Sequence, residues 1–344
     1  MTDGVYYSDY LQLDKILKAQ ELESDKEGKK HAHDEMLFIV IHQSYELWFK
    51  QLLYEVGSVI DIMSQPTISD NSPDLYAVNH RLKRCVTILN VLIHKIDILE
   101  TMTPLDFLDF RNMLRPASGF QSIQFKLLEA FLGLKMEARH GKEYYTSQLR
   151  PEDVEIIKKA ETTRPLIQLV NEWLERMPFF ENEKFWSGWQ PAADKHPFWK
   201  SYHDLYSGSL VEGEKFNLAR FEEIFLSNEK KAEWALSPKA RRAGLFIMLY
   251  RDYPLMQLPY QLINVLLDID ESISTWRYRH MNMVHRMIGT RTGTGGSTGK
   301  GYLKGAVDKH YIFAEFAELT TFLIERNKLP QLSGELKLRL GFGE

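Results

Sequence analysis

The sequence predicts an all-α fold. Apolar residues recur every three or four positions over stretches longer than a strand, and alternating apolar–polar runs of strand length are scarce. Serine or proline also stands where several of the helical runs begin. Met36 to Met63 is apolar on most sides, which predicts a buried central helix. Leu82, Val86, Leu89, Leu92 or Ile93, Ile96 and Leu99 mark one face of a second long helix. Ser118, ahead of Gly119 and the run FQSIQFKLLE, is read as the N-cap of a helix over 119–133. Pro165 suits the first turn of a helix running to about Met177, and Pro259 that of a helix over 259–289 closed by Gly289. The glycine-rich stretch GTRTGTGGSTGKG at 289–301 is expected to be an irregular loop. The middle third, about 135–255, mixes short helical pieces with a turn-prone, Trp-rich part from Trp186 to Trp199. It reads as a helical insertion packed on the core of one domain spanning 1–344, with no internal repeat.

Composition narrows the functional classes. The 344 residues are 44% hydrophobic and 26% charged, which excludes a disordered chain. Forty-three basic against forty-seven acidic residues leave −4, so no general nucleic-acid binder is expected. No apolar run reaches the roughly 18 residues of a membrane span, so no membrane partner is expected. The single cysteine, Cys85, favours a reducing compartment, and MTDGVYYSDY lacks a signal-peptide pattern, so the expected location is cytoplasmic. Aromatic residues reach 12%, enough to wall a flat ligand, although a well-filled core is the plainer reading of composition alone.

Few motifs carry chemistry by spacing alone. The glycine stretch is not a Walker A loop: Thr294 stands where its first glycine belongs, and Lys300 is followed by Gly301. It is not a dinucleotide fingerprint either, because Gly293 and Gly295 would require glycine or alanine at Thr298. Neither His31 with His33 nor His280 with His285 has the three-or-four spacing of a helical zinc site. His42 would share a helix face with Phe38, Ile39, Tyr45 and Glu46. His280 falls among Trp276, Ile273, Met283, Val284 and Met287, the surroundings a haem-ligating imidazole needs. For each of these two, a hydrogen-bonded core histidine is the competing account. Arg111, set among Phe107, Leu108, Phe110 and Met113, is a candidate carboxylate clamp or else a surface arginine whose stem covers apolar area.

Several blocks together resemble the tryptophan 2,3-dioxygenase family. They are YSDYLQLD at 7–14, HDEMLFIVIHQ at 33–43 with YELWFKQ at 45–51, the stretch 110–122 containing FR and PASGFQS, and WRYRH at 276–280 leading to IGTRTGTGGS at 288–297. Their order and their reach across nearly the whole chain carry the resemblance. It implies a helical haem dioxygenase core that inserts both atoms of O2 across the indole C2–C3 bond of L-tryptophan, giving N-formylkynurenine, the first step of the kynurenine pathway. A b-type haem is implied, one per subunit and iron(II) in the active form, with His280 as its axial ligand and Ser118 and Gly119 near its edge.

The resemblance also assigns the substrate's surroundings. His42 corresponds to the distal histidine that meets the indole N–H, and Arg111 to the residue that binds the carboxylate. Thr294, fourteen residues after His280, corresponds to the loop threonine that meets the amino-acid moiety. Phe38, with Ile39, Val40 and Ile41 beside it, belongs to the block walling the indole; Phe107 falls where some relatives carry Tyr, so no phenol hydrogen bond carries over. Tyr7, Tyr10 and Leu11 match an N-terminal segment that reaches a neighbouring active site in a homotetramer. The rival readings are a broader-specificity indoleamine dioxygenase-like enzyme, which would be a monomer, and a haem-binding sensor without turnover.

Overall fold

A computed structural model describes residues 4–68, 72–134, 149–291 and 311–341. Among these the chain is all-α, with no strand. After two short turns, α1 (Tyr7–Leu11) and α2 (Leu13–Ile16), come α3 (Asp34–Met63), α4 (Pro73–Leu99), α5 (Pro104–Arg111) and α6 (Ile123–Leu132). The middle of the chain supplies α7 (Pro151–Glu161), α8 (Leu166–Glu175), α9 (Pro197–Ser209), α10 (Phe216–Phe221) and α11 (Pro238–Leu249). Next comes the longest helix, α12 (Pro254–Ile288), followed by α13 (Ala314–Leu319) and α14 (Gly334–Arg339).

The starts follow local chemistry. Ser72 Oγ accepts the Leu75 N–H ahead of Pro73, Thr103 and Asp106 form a capping box, and Ser237 Oγ accepts the Ala240 N–H. His196 caps α9 in the same way, its side chain accepting the Phe198 N–H. Three boundaries differ from the sequence reading. Ser118 caps only a 3₁₀ turn, Gly119–Gln121, and a second serine, Ser122, caps α6. Pro165 is the N-cap of α8 and not its first helical residue. Helix α12 starts at Pro254 and runs through Pro259, where one backbone rung is missing. Burial of Met256, Leu262, Ile263, Val265 and Leu266 holds the helix across that gap.

Three helices frame the molecule: α4 packs along both α3 and α12 through a stripe that includes Leu75, Val78, Leu82, Leu89 and Leu92. Each such side chain contributes about 1.5–3 kcal/mol by leaving water. Helix α6 lies on α3 and α7, and α8 packs on α11. At the end of α6 only glycine fits: Gly133 sits at φ 124°, and a Cβ there would overlap Ile167. Side chains of α8, α9 and α11 join the same continuous core as those of α3, α4 and α12.

Contrary to the sequence reading, α3 is not buried on most sides. Ile41, Tyr45, Phe49, Leu52 and Val56 face the core, but Val40, Leu47 and Tyr54 are 45%, 55% and 74% exposed. The C-terminal segment is held by phenols: Tyr202, Tyr206 and Tyr250 donate to the carbonyls of Phe322, Thr321 and Pro330. Near the middle of α12, the buried Asp270 carboxylate accepts the N–H groups of Ile312 and Phe313, and Ser274 meets the Tyr311 hydroxyl at 3.0 Å. Burial raises the Asp270 carboxyl to about 6 against those two hydrogen bonds and the nearby Arg277 charge. No helix among the described residues is long and apolar enough to cross a membrane.

Candidate functional site

Helix α3 fixes the first imidazole. His42 lies one turn after Phe38, so its Nδ1 reaches the Phe38 carbonyl at 2.7 Å and the two rings lie 4.0 Å apart. A carbonyl can only accept, so Nδ1 carries the proton and Nε2 keeps a lone pair. Burial lowers the imidazole pKa, opposed by the Phe38 hydrogen bond and the Glu46 charge. Glu46 is itself tied to α6, where Gln124 Nε2 donates to its carboxylate at 2.9 Å and to its backbone carbonyl at 2.8 Å. Phe38 also packs on Phe107 and Phe110 of α5, with centroids 5.7 and 5.5 Å away, making an aromatic wall beside His42.

The second imidazole is on the last third of α12. His280 stacks on Trp276, one turn earlier, with centroids 5.2 Å apart and planes 3° from parallel. Burial pushes its pKa down to about 4, and the charge of His42 pushes it the same way. Trp276, one turn before His280, meets Tyr45 and Phe49 of α3, so the two histidines stand on helices that face each other at this level. Among the described residues no hydrogen bond reaches either nitrogen of His280.

Trp276 makes the bridge back to α3, with its ring 6.1 Å from both Tyr45 and Phe49 and 4.9 Å from Phe125. Its Nε1 is buried and finds no hydrogen-bond partner among the described residues. Two arginines clamp this stretch of α12: Arg277 pairs with Glu129 of α6 inside the protein, and Arg279 pairs with Asp97 of α4 at 2.6 Å. Burial pushes the phenol of Tyr45 to about 12, and its hydroxyl donates to the Leu92 carbonyl at 2.8 Å.

Arg111 closes α5 and is only 4% exposed, so it is not the surface arginine that the sequence left open. Burial lowers its pKa, and the nearby charges of Arg115 and Arg291 lower it further, so three cations converge here. Ser118 Oγ accepts the Phe120 N–H, and the space where a Cβ of Gly119 would stand is open among the described residues. Thr294 lies outside the described residues.

The remaining candidates divide. Ile41 is buried in the core, Ile39 is intermediate, and Val40 points away from the His42 face of α3. Tyr7 and Tyr10 are exposed on α1, together with Leu11, and none meets the imidazoles of its own chain. Among the described residues no group of three or more His, Cys, Asp and Glu could hold a metal ion; His31 pairs with Asp25 on the surface instead. The sequence reading assigned no role to Trp276, Arg277, Arg279 or Glu46. The three on α12 flank His280 within WRYRH, and only the i, i+4 spacing of Trp276 and His280 hinted at a stack.

Known proteins resemble the chain over nearly its whole length. The family model described as Tryptophan 2,3-dioxygenase matches residues 1–323. A Tryptophan 2,3-dioxygenase from Alteromonas mediterranea is 43% identical over 98% of this chain and 97% of its own length. One from Bdellovibrio bacteriovorus is 42% identical over 98% of both chains. Tryptophan 2,3-dioxygenase B of Danio rerio is 41% identical over 96% of this chain and 84% of its own.

Proposed function

The chain belongs to the tryptophan 2,3-dioxygenase family, and from that membership we infer that it cleaves the indole C2–C3 bond of L-tryptophan with O2. The product is N-formylkynurenine, and the step opens tryptophan catabolism by the kynurenine pathway. The observation that carries the reading is the pair of buried imidazoles, His42 and His280, on two helices that α4 spaces and that meet through Trp276, Tyr45 and Phe49.

The residues fit a b-type haem. Among the described residues His280 offers a neutral nitrogen with no competing hydrogen bond, the Trp276 N–H one turn earlier is buried without a partner, and the space where a Cβ of Gly119 would stand is open. His280 would hold the iron, with Ser118 and Gly119 along the edge of the macrocycle. When bound, one haem per subunit with iron(II) supplies the site at which O2 reacts with the indole.

The protein's own groups then bind and orient. Nε2 of His42, left free by the Nδ1 bond to Phe38, accepts the indole N–H. An indole N–H is a far weaker acid than an imidazolium near 6.5, and burial lowers His42 further, so His42 positions the substrate and is a poor base. Phe38, with Phe107 behind it, packs against the indole face. Arg111 grips the carboxylate, reinforced by the neighbouring positive charges, and Thr294 meets the amino-acid moiety. Both oxygen atoms enter the product, so no external reductant is consumed.

The enzyme works in the cytoplasm as a single unit with 135–255 as a helical insertion, and it assembles as a homotetramer. The exposed apolar residues of α3 and the N-terminal segment support assembly, because so much unpaired apolar surface favours association with another copy. Tyr7, Tyr10 and Leu11 reach the neighbouring site. The test is direct: the haem-loaded protein is reduced without oxygen, given L-tryptophan and then air, and product is followed by absorbance. N-formylkynurenine is expected, and a reduced haem protein that forms none would remove the assignment. The variant H280A should lose or shift the Soret band and lose turnover.

A further inference from the structure

Residues 4–18 bury no side chain, yet the chain immediately behind them is fastened to α3 at two heights. At the upper one, Gln43 Nε2 donates to the Ala19 carbonyl at 2.8 Å, and Gln43 Oε1 accepts from Gln20 Nε2 at 2.7 Å. Gln20 Nε2 also reaches back to the Ile16 carbonyl at 2.9 Å, which tightens the turn just ahead of it. About two helical turns lower, the buried Glu35 carboxylate accepts the N–H groups of Glu23 and Ser24 at 2.8 and 2.9 Å. Ser24 Oγ in turn accepts the Ala32 N–H at 3.1 Å. The lower fastening is sealed in the protein and fixes where the chain meets α3. The upper one is partly open to water and fixes the direction in which the chain leaves.

We propose that Gln43 is a positioning residue for the active site of a neighbouring copy of this chain. Its amide holds Ala19 and Gln20, so Tyr7, Tyr10 and Leu11 leave in one direction and arrive preordered at the second copy. The inference rests on the reading that the N-terminal segment completes a neighbour's site. Gln43 follows His42 directly, but on a helix consecutive side chains point about 100° apart. The amide thus serves the departing segment while the imidazole faces the substrate of its own subunit. Without the upper fastening the segment swings from Glu23, and more of its freedom must be lost when it docks.

Mixed oligomers test this and separate it from the reading beneath it. A chain carrying H280A, inactive in its own site, is co-produced with the wild-type chain and the mixed assemblies are isolated through two tags. Native mass confirms incorporation, and oligomers with H280A alone set the reference KM for L-tryptophan. Adding Q43A to the inactive chain should raise the KM of the wild-type sites about fivefold, with kcat unchanged, because two hydrogen bonds are lost. Q20A on the same chain, which removes one of them, should give a smaller rise in the same direction. An unchanged KM with Q43A, or a rise seen only when Q43A sits in the active chain, would overturn the proposal. Deleting residues 1–18 from the inactive chain tests the underlying reading separately: a raised KM keeps segment exchange, and an unchanged KM removes it.

Discussion

The nitrogen of His42 that matters is the one Phe38 leaves free. Because the Nδ1–H is committed to a carbonyl one turn back, the ring is held in a single tautomer with Nε2 left as an acceptor. Replacing His42 with Ser should weaken L-tryptophan binding and slow turnover without abolishing it, with haem content unchanged. Full loss of turnover at intact affinity, measured by steady-state kinetics with spectral titration, would return proton transfer to this residue. Arg111 is a different case, since its buried guanidinium is proposed to meet the substrate carboxylate. R111A removes an interaction of about 3–5 kcal/mol, so KM should rise about a hundredfold or more while kcat falls less. An unchanged KM would place Arg111 outside the site. His42, Arg111 and His280 stood out in the sequence because each broke an apolar stripe. The stacking partner of His280 did not, because Trp276 fits that stripe.

Among the helices, α9 depends on a ring. His196 caps it through an acceptor nitrogen, inside an aromatic box of Phe180, Trp186, Phe198 and Trp199. Burial lowers this imidazole from 6.5 to about 4, so the fold requires it neutral. Its contribution is complete above about pH 6.5 and is lost progressively as the pH falls to 4, roughly 3 kcal/mol in all. Urea midpoints of the haem-loaded protein should fall across that window. In H196N, which can still cap, the dependence should flatten; an equal slope would assign it elsewhere.

The long helices were legible, because a 3.6-residue stripe is written in the residues themselves, whereas α5 and most of the shorter helices of the middle third show too few turns for the stripe to stand out. Boundaries were less so. Pro259 reads as a start since proline suits a first turn, but Pro254 occupies that place and packing carries the helix past the later ring. Ser118 and Ser122 both have capping chemistry, and only the backbone distinguishes a 3₁₀ turn from the helix proper. Partners distant in sequence, such as Glu129 with Arg277 or Asp270 with Ile312, leave no local trace.

For the whole molecule the unfinished surface is α3. Apolarity on most sides suggested burial within one chain, but periodicity does not say which molecule covers each face. Val40, Leu47 and Tyr54 repeat at seven-residue intervals on the outer side, the spacing that aligns side chains for another helix. A charge introduced there by L47K or Y54K should lower the native mass in light scattering while leaving helicity intact. A mass equal to wild type would free that face from the assembly.

Asp270 and Ser274 hold residues 311–313, and the same helix ends fifteen residues later at Gly289 with His280 between them. Both margins of the stretch containing Thr294 are thus attached to one rod, the rod that carries His280. A tilt of that rod carries anchor points and imidazole together, so their mutual alignment survives displacements of α8 to α11 that would misregister parts mounted on separate supports.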